Sequence, residues 1–194
     1  SLFLNWEILK RIFVAFIPTA VIGLIFYSFI KTYLLSSELT VIISLFLGGL
    51  FLIFFEKNHH EKDNSLDQIE KLSYKKSLLI GLFQSIAIIP GISRAAATIV
   101  GGLIVGLKRK TVVEFSFLLA IPTMAAATGF DLIKNATSIS GPETSLLLIG
   151  FITAFASALL GVKFLLKFIK NHSFTAFGYY RIILAIVFFA FLFS

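Results

Sequence analysis

The sequence predicts an all-α, polytopic membrane bundle, with about five spanning helices plus one re-entrant helical hairpin. Three observations carry that prediction. Of 194 residues, 58% are hydrophobic, above the roughly 45–50% typical of soluble chains even when glycine is counted. The apolar residues fall in long runs separated by short basic loops. One further apolar stretch, "FQSIAIIPGISRAAATIVGG" (83–102), is interrupted by Pro90-Gly91 and then carries Arg94.

A spanning helix needs ~20 apolar residues to cross ~30 Å. Residues 12–30 and 39–55 meet that length, and 112–130, 146–169 and 176–193 are three more spans. The abundant Phe, 23 residues, suits lipid-facing surfaces. Residues 56–76, "EKNHHEKDNSLDQIEKLSYKK", are polar without an apolar period and predict a cytoplasmic surface loop with at most a short amphipathic turn. The whole chain, 1–194, is expected to form a single integral membrane domain.

Residues 77–107 fit no single span. As one helix they would be too long, and Pro90-Gly91 divides them into 77–89 and 93–107, each reaching only about 20 Å. A kinked over-long span and a re-entrant hairpin are the two readings. Charge decides between them. With the hairpin, Lys10, Arg11, Lys57, Lys62, Lys71, Lys75, Lys76, Lys108, Arg109, Lys110, Lys163, Lys167 and Lys170 share the cytoplasmic side, and only Lys31 and Lys134 lie outside. A full crossing would split them and break the positive-inside rule. Irregular backbone at membrane depth must be buried in protein or reached by water, so the hairpin predicts a polar cavity at its tip.

The net charge of +7 is explained by those loops, and no nucleic-acid partner is expected. The chain has no cysteine, which excludes disulfide and thiol chemistry. It opens on "SLFLNWEILKR", without an initiating Met or the charge order of a signal peptide, and an N-terminal truncation is expected. Ile-Pro-Thr recurs at 17–19 and 121–123, a spacing of 104 residues. Inverted repeats are common around midplane sites, so 12–55 is read as the remainder of a first repeat and 77–170 as the second.

The Pro-Gly break has the makings of an anion cradle. Pro90 ends one half-helix and Gly91 permits the sharp turn. Ser93 is placed to cap the next half-helix, whose N-terminus attracts anions. Arg94 adds a planar fork of donors that matches phosphate oxygens, and Thr98 falls on the same helical face four residues on. Gly101, Gly102 and Gly106 offer small faces for close helix approach. Each device also serves ordinary packing. Arg94 tips the balance, since an arginine at membrane depth costs at least ~2.5 kcal/mol and needs a partner, either an anionic substrate or Glu114 of the next helix. Gln84 either lines the cavity or bonds across helices. Arg181 is expected to snorkel toward the interface. His59 and His60 sit in a polar loop without a spaced third ligand, and His172 has no visible partner. No P-loop, nucleophile elbow or helical zinc motif is present.

The segment "SLLIGLFQSIAIIPGISRAAATIVGGLIVGLKRKTVVEFSFLLAIPTMAAAT", with the late "YYRIILA", resembles the second half of bacterial undecaprenyl-diphosphatases, the bacitracin-resistance proteins. The likeness runs from about residue 8 to the end. The family signature Pro-Gly-x-Ser-Arg-Ser-Gly-Ala-Thr reads here Pro90-Gly91-Ile92-Ser93-Arg94-Ala95-Ala96-Ala97-Thr98. The resemblance implies a multi-pass enzyme of the bacterial plasma membrane that hydrolyses undecaprenyl diphosphate and recycles the cell-wall lipid carrier. It also implies a site built on two re-entrant hairpins and a divalent cation, Mg or Ca. Carried over by position, Ser93, Arg94 and Thr98 are the catalytic candidates, and Gly91, Ser93, Arg94 and Gln84 the substrate-binding ones. Ser93 is nucleophile or phosphate ligand, with ligand the safer assignment. No metal ligand is expected within this chain, because the family's acidic motif and its Ser-Ser-x-Gly-His segment belong to the first hairpin, which is not found here. Ala95 and Ala96 replace a Ser and a Gly, which removes a donor hydroxyl and narrows the backbone approach. The partners implied are a polyprenyl diphosphate lipid and the membrane, with a homo-oligomer also considered. A polyprenyl-phosphate flippase and a non-catalytic relative are the alternative functions.

Overall fold

The computed structural model describes residues 5–35, 37–61, 65–135, 141–169 and 173–193. Seven principal helices run through them: α1 (Trp6–Ile25), α2 (Glu38–Asn58), α3 (Tyr74–Ser85), α4 (Arg94–Ile104), α5 (Arg109–Asn135), α6 (Gly141–Ile169) and α7 (Thr175–Phe193). Tyr27–Phe29 and a π-turn at Ile30–Leu34 extend α1. Among the described residues, α1, α2, α5, α6 and α7 have the length and apolarity to cross a membrane. The chain is therefore an all-α multi-pass membrane protein.

Local chemistry sets the helix starts. Asn5, Ser37, Ser73 and Ser93 each accept a backbone N–H from the first turn that follows, and so cap α1, α2, α3 and α4. Pro18 and Pro122 sit inside α1 and α5, where each removes one backbone donor.

Residues 74–104 form a helical hairpin. α3 has 12 residues and α4 has 11, so each spans about half a bilayer core. A 3₁₀ turn at Ile86–Ile88 and the Ile89–Ser93 segment join them. Gly91 adopts φ +89°, a left-handed conformation that its missing Cβ makes accessible. The hairpin's base is closed by a short bridge, in which Leu66 N donates to Gly106 O and Lys108 N to Leu66 O, at 2.8 and 2.9 Å. The end of α4 thus returns to the level at which α3 begins. The turn lies beside Val41 and Ser44, in the first two turns of α2 and far from that base.

The hairpin is clasped between two helix sets. On one side α1 and α5 pack against it, and a Cβ at Gly81 of α3 would run into the Ala15 carbonyl of α1, so the two backbones touch. On the other side stands the α2–α7 pair, in close approach at Gly49 and Gly178. Ile8, Ile12, Ile80, Ile99, Leu103, Val112, Phe115 and Leu119 form the core between α1, α3, α4 and α5.

The polar segment departs from its expected form. α2 continues to Asn58 and α3 begins at Tyr74, which shortens the loop at both ends. Within it Ile69 and Leu72 are fully buried in the core, so the segment plugs the base of the bundle. Ionic ties hold the same end. Glu56 pairs through both oxygens with the Arg109 guanidinium and accepts the Phe174 N–H at 2.8 Å, which joins the ends of α2, α5 and α7. Arg11 donates to the Leu72 carbonyl at 2.6 Å. Gly101 and Gly102 do serve close contacts, with Phe83 and Val112, whereas Gly106 serves the turn itself at φ +93°.

Candidate functional site

A cavity of about 590 Å³ opens between α1, α3, α5 and the start of α4. Thr19, Gln84, Arg94, Thr123 and Asp131 supply its polar lining. Ala20, Gly23, Ala87, Ile88, Ala126 and Ala127 supply much of its apolar wall.

Gln84 is the hub of this site. Its side chain is 1% exposed, and its amide is fully used. Nε2 donates to Thr19 Oγ1 of α1 at 3.0 Å and to Thr123 Oγ1 of α5 at 3.2 Å. Oε1 accepts the Thr98 hydroxyl of α4 at 3.2 Å. Thr123 in turn donates to the Leu119 carbonyl at 2.7 Å, which leaves its lone pairs for Gln84. One carboxamide therefore ties together all four helices around the cavity. It both lines the cavity and bonds across helices.

Arg94 begins α4 and faces the cavity. Its Nη1 is buried and has no hydrogen-bond partner, in a site where an unpaired donor is costly. Glu114 does not supply the missing acceptor, being turned toward Lys110 on its own helix at 3.9 Å. Ser93 Oγ accepts the Ala96 N–H at 3.2 Å, and its own proton stays available to an acceptor. Thr98 is fully buried behind this turn, bonded to Gln84 and to the Arg94 carbonyl at 2.9 Å. Gly91 faces away from the cavity, toward α2 and α7. The structure thus puts Arg94 and Gln84 on the cavity wall, Ser93 at the helix start, and Thr98 and Gly91 in supporting positions.

Several residues were not singled out as site residues from the sequence. Thr19 and Thr123 carried a signal, the repeated Ile-Pro-Thr, but it marked them as a repeat and not as partners of one amide. Lys134 lies over the Tyr27 and Phe130 rings at 4.0 and 4.5 Å, at the end of the cavity away from the hairpin base. Arg181 does not snorkel. It is 8% exposed, and its Nη2 donates to the Gly91 and Ser44 carbonyls. Ala95 is half-buried and packs against the core. His59 stacks on Phe55, with ring centroids 4.8 Å apart, and His172 lies outside the described residues. Among the described residues no group of three His, Cys, Asp or Glu could hold a metal, and Asp131 is the one acid on the cavity wall.

Comparison with known proteins bears on this geometry. The family model for the bacitracin resistance protein BacA matches residues 3–187. An undecaprenyl-diphosphatase of Aquifex aeolicus is 51% identical over 187 residues, 96% of this chain and 73% of that protein. One from Sulfurihydrogenibium is 49% identical over the same shares, and one from Methanococcus aeolicus is 40% identical over 94% of this chain and 71% of its own length.

Proposed function

The chain belongs to the bacitracin resistance protein BacA family, and from that premise we propose that Ser93, Arg94 and the α4 N-terminus cradle the diphosphate of a polyprenyl lipid. The reaction is hydrolysis of undecaprenyl diphosphate to undecaprenyl phosphate and inorganic phosphate, which returns the lipid carrier to cell-wall synthesis. The relatives are named for cleavage, which disfavours the flippase alternative.

In the cradle, the Arg94 fork binds non-bridging phosphate oxygens and neutralises charge as the anhydride bond breaks. Such preorganised donors typically contribute about 10²–10³ in rate. The Ser93 hydroxyl donates to a phosphate oxygen, and the first-turn amides of α4 add the helix dipole. Water attacks the terminal phosphorus and gives up a proton to solvent, the bond from that phosphorus to the bridging oxygen breaks, the bridging oxygen leaves with the lipid monophosphate, and the newly formed inorganic phosphate departs. Thr98 acts behind the cradle, where it holds the Arg94 backbone and Gln84 in register. The small side chains along α1 and α5 leave an apolar slot that suits the first units of the polyprenyl tail.

The described residues do not by themselves form a site for the divalent cation that the resemblance implies. Among the described residues no group of three His, Cys, Asp or Glu comes together, and Asp131 is the single carboxylate on the cavity wall, so any cation held there would take most of its ligands from substrate phosphates and water.

The hairpin is re-entrant in this reading. Its base lies with the basic residues Lys71, Lys75, Lys76, Lys108, Arg109 and Lys110 on the cytoplasmic face of a bacterial plasma membrane, and its tip approaches the outer face.

The single observation that carries the proposal is the buried, unpartnered Nη1 of Arg94 on the cavity wall. Phosphate release from undecaprenyl diphosphate in detergent tests it. Arg94→Gln is expected to lose at least about 100-fold in kcat/KM. A loss within a few-fold would remove Arg94 from the site.

A further inference from the structure

We propose that Arg181 is a positioning residue for the phosphatase site, gripping the hairpin turn from behind so that Ser93 and Arg94 meet the cavity. The proposal rests on the reading of those two residues as the phosphate cradle. It starts from a side chain that sits in the second turn of α7, across the hairpin from the cavity it serves.

The grip is specific. Arg181 Nη2 donates to Gly91 O at 2.8 Å and to Ser44 O at 3.2 Å, so one nitrogen staples the turn to α2. Room for the guanidinium comes from Gly48 of α2, where a Cβ would collide with Nη2 and lie 3.2 Å from Cζ. Gly91 is seated as closely, since a Cβ there would lie 2.6 Å from the Val41 carbonyl oxygen.

The peptide between Gly91 and Ile92 is held at both ends. Its carbonyl is bound by Arg181, and its N–H donates to the Ile89 carbonyl at 3.1 Å. That plane sets the direction in which the chain enters Ser93, the cap of α4, and hence where Arg94 points. Among the described residues no carboxylate pairs with Arg181; its Nη2 is bonded to backbone carbonyls, and its buried Nε has no hydrogen-bond partner. A cation used in this way orients the backbone and leaves substrate contact to Arg94.

The test measures phosphate release from undecaprenyl diphosphate by the full chain in detergent. Arg181→Gln removes the charge, and Gly48→Ala keeps the charge but displaces the guanidinium. Both are expected to lower kcat about 100-fold while KM stays within about threefold, because misplacement by about 1 Å costs that much. Arg181→Lys, which keeps the charge on a shorter side chain without the planar guanidinium, is expected to match Arg181→Gln. A rise in KM with kcat intact would make Arg181 an anion-binding charge and overturn the proposal, as would full activity in Arg181→Lys.

A second measurement is independent of turnover. The chain has no cysteine, so Ile92→Cys gives a single maleimide target in the turn. Labelling in native membranes is expected to speed up about tenfold when Gly48→Ala or Arg181→Gln is added, as the turn loses protection. An unchanged labelling rate would overturn the grip even if either variant resists purification. Arg94→Gln, assayed in parallel, tests the cradle separately, since it leaves the labelling rate unaltered.

Discussion

Thr19 and Thr123 accept hydrogen bonds from the same nitrogen, Gln84 Nε2, at 3.0 and 3.2 Å. Each follows a proline inside a long helix, and each stands in an Ile-Pro-Thr triplet. The two triplets therefore converge on one side chain at the cavity wall. Because the two bonds share one amide, Thr19→Val and Thr123→Val are each expected to cost about 0.5–1.5 kcal/mol. Together they should depart from additivity by about 0.5 kcal/mol or more, read from a double-mutant cycle of thermal or denaturant unfolding in detergent. Strict additivity would show that the shared amide does not couple them.

Gly81→Ala is expected to be among the most damaging single substitutions. The new methyl would meet the Ala15 carbonyl, and backbone cannot swing aside as a side chain can. Overpacking of this kind costs about 1–3 kcal/mol, and here it also pushes α3 away from the Gln84 hub. A lower melting temperature with reduced turnover checks this. Wild-type stability would show that α1 and α3 separate easily.

Glu56→Ala should destabilise the protein by about 3–5 kcal/mol, because it strands the Arg109 guanidinium and the Phe174 amide. Replacing both charged partners with apolar residues, as in Glu56→Leu with Arg109→Met, should recover much of that loss. If the double variant unfolds as readily as the single one, the pair does more than balance charge.

Ala95→Ser restores the hydroxyl of the family signature, but the side chain packs against the core. The substitution is expected to change kcat/KM by less than about threefold. A gain of tenfold would mean that this position reaches the substrate.

Much of the fold was legible because apolar runs of spanning length leave few alternatives, and the five long helices fall where those runs do. The Pro90-Gly91 break was legible as the turn between two half-length helices, and Arg94, a charge in apolar sequence, lies on the wall of the cavity beside it. What stayed hidden were partners chosen by backbone geometry. Arg181 binds two carbonyls, and a carbonyl leaves no signature of residue type, so a cation near a helix start read as snorkelling. Ile69 and Leu72 are lone apolar residues in a charged segment, too few to show a period, yet they fill the base of the core. Glu56 and Arg109 meet across 53 residues, and nothing local links them.

The guanidinium that seats Gly91 is synthesised 90 residues after it. Two half-length helices joined by an open turn are poor candidates for insertion on their own, because neither spans the bilayer. The contact between Arg181 and the Gly91 carbonyl therefore forms only after α7 has been synthesised. The last contact that seats the turn is thus supplied by the last helix of the chain, and loss of that helix would leave the Gly91 carbonyl without its guanidinium.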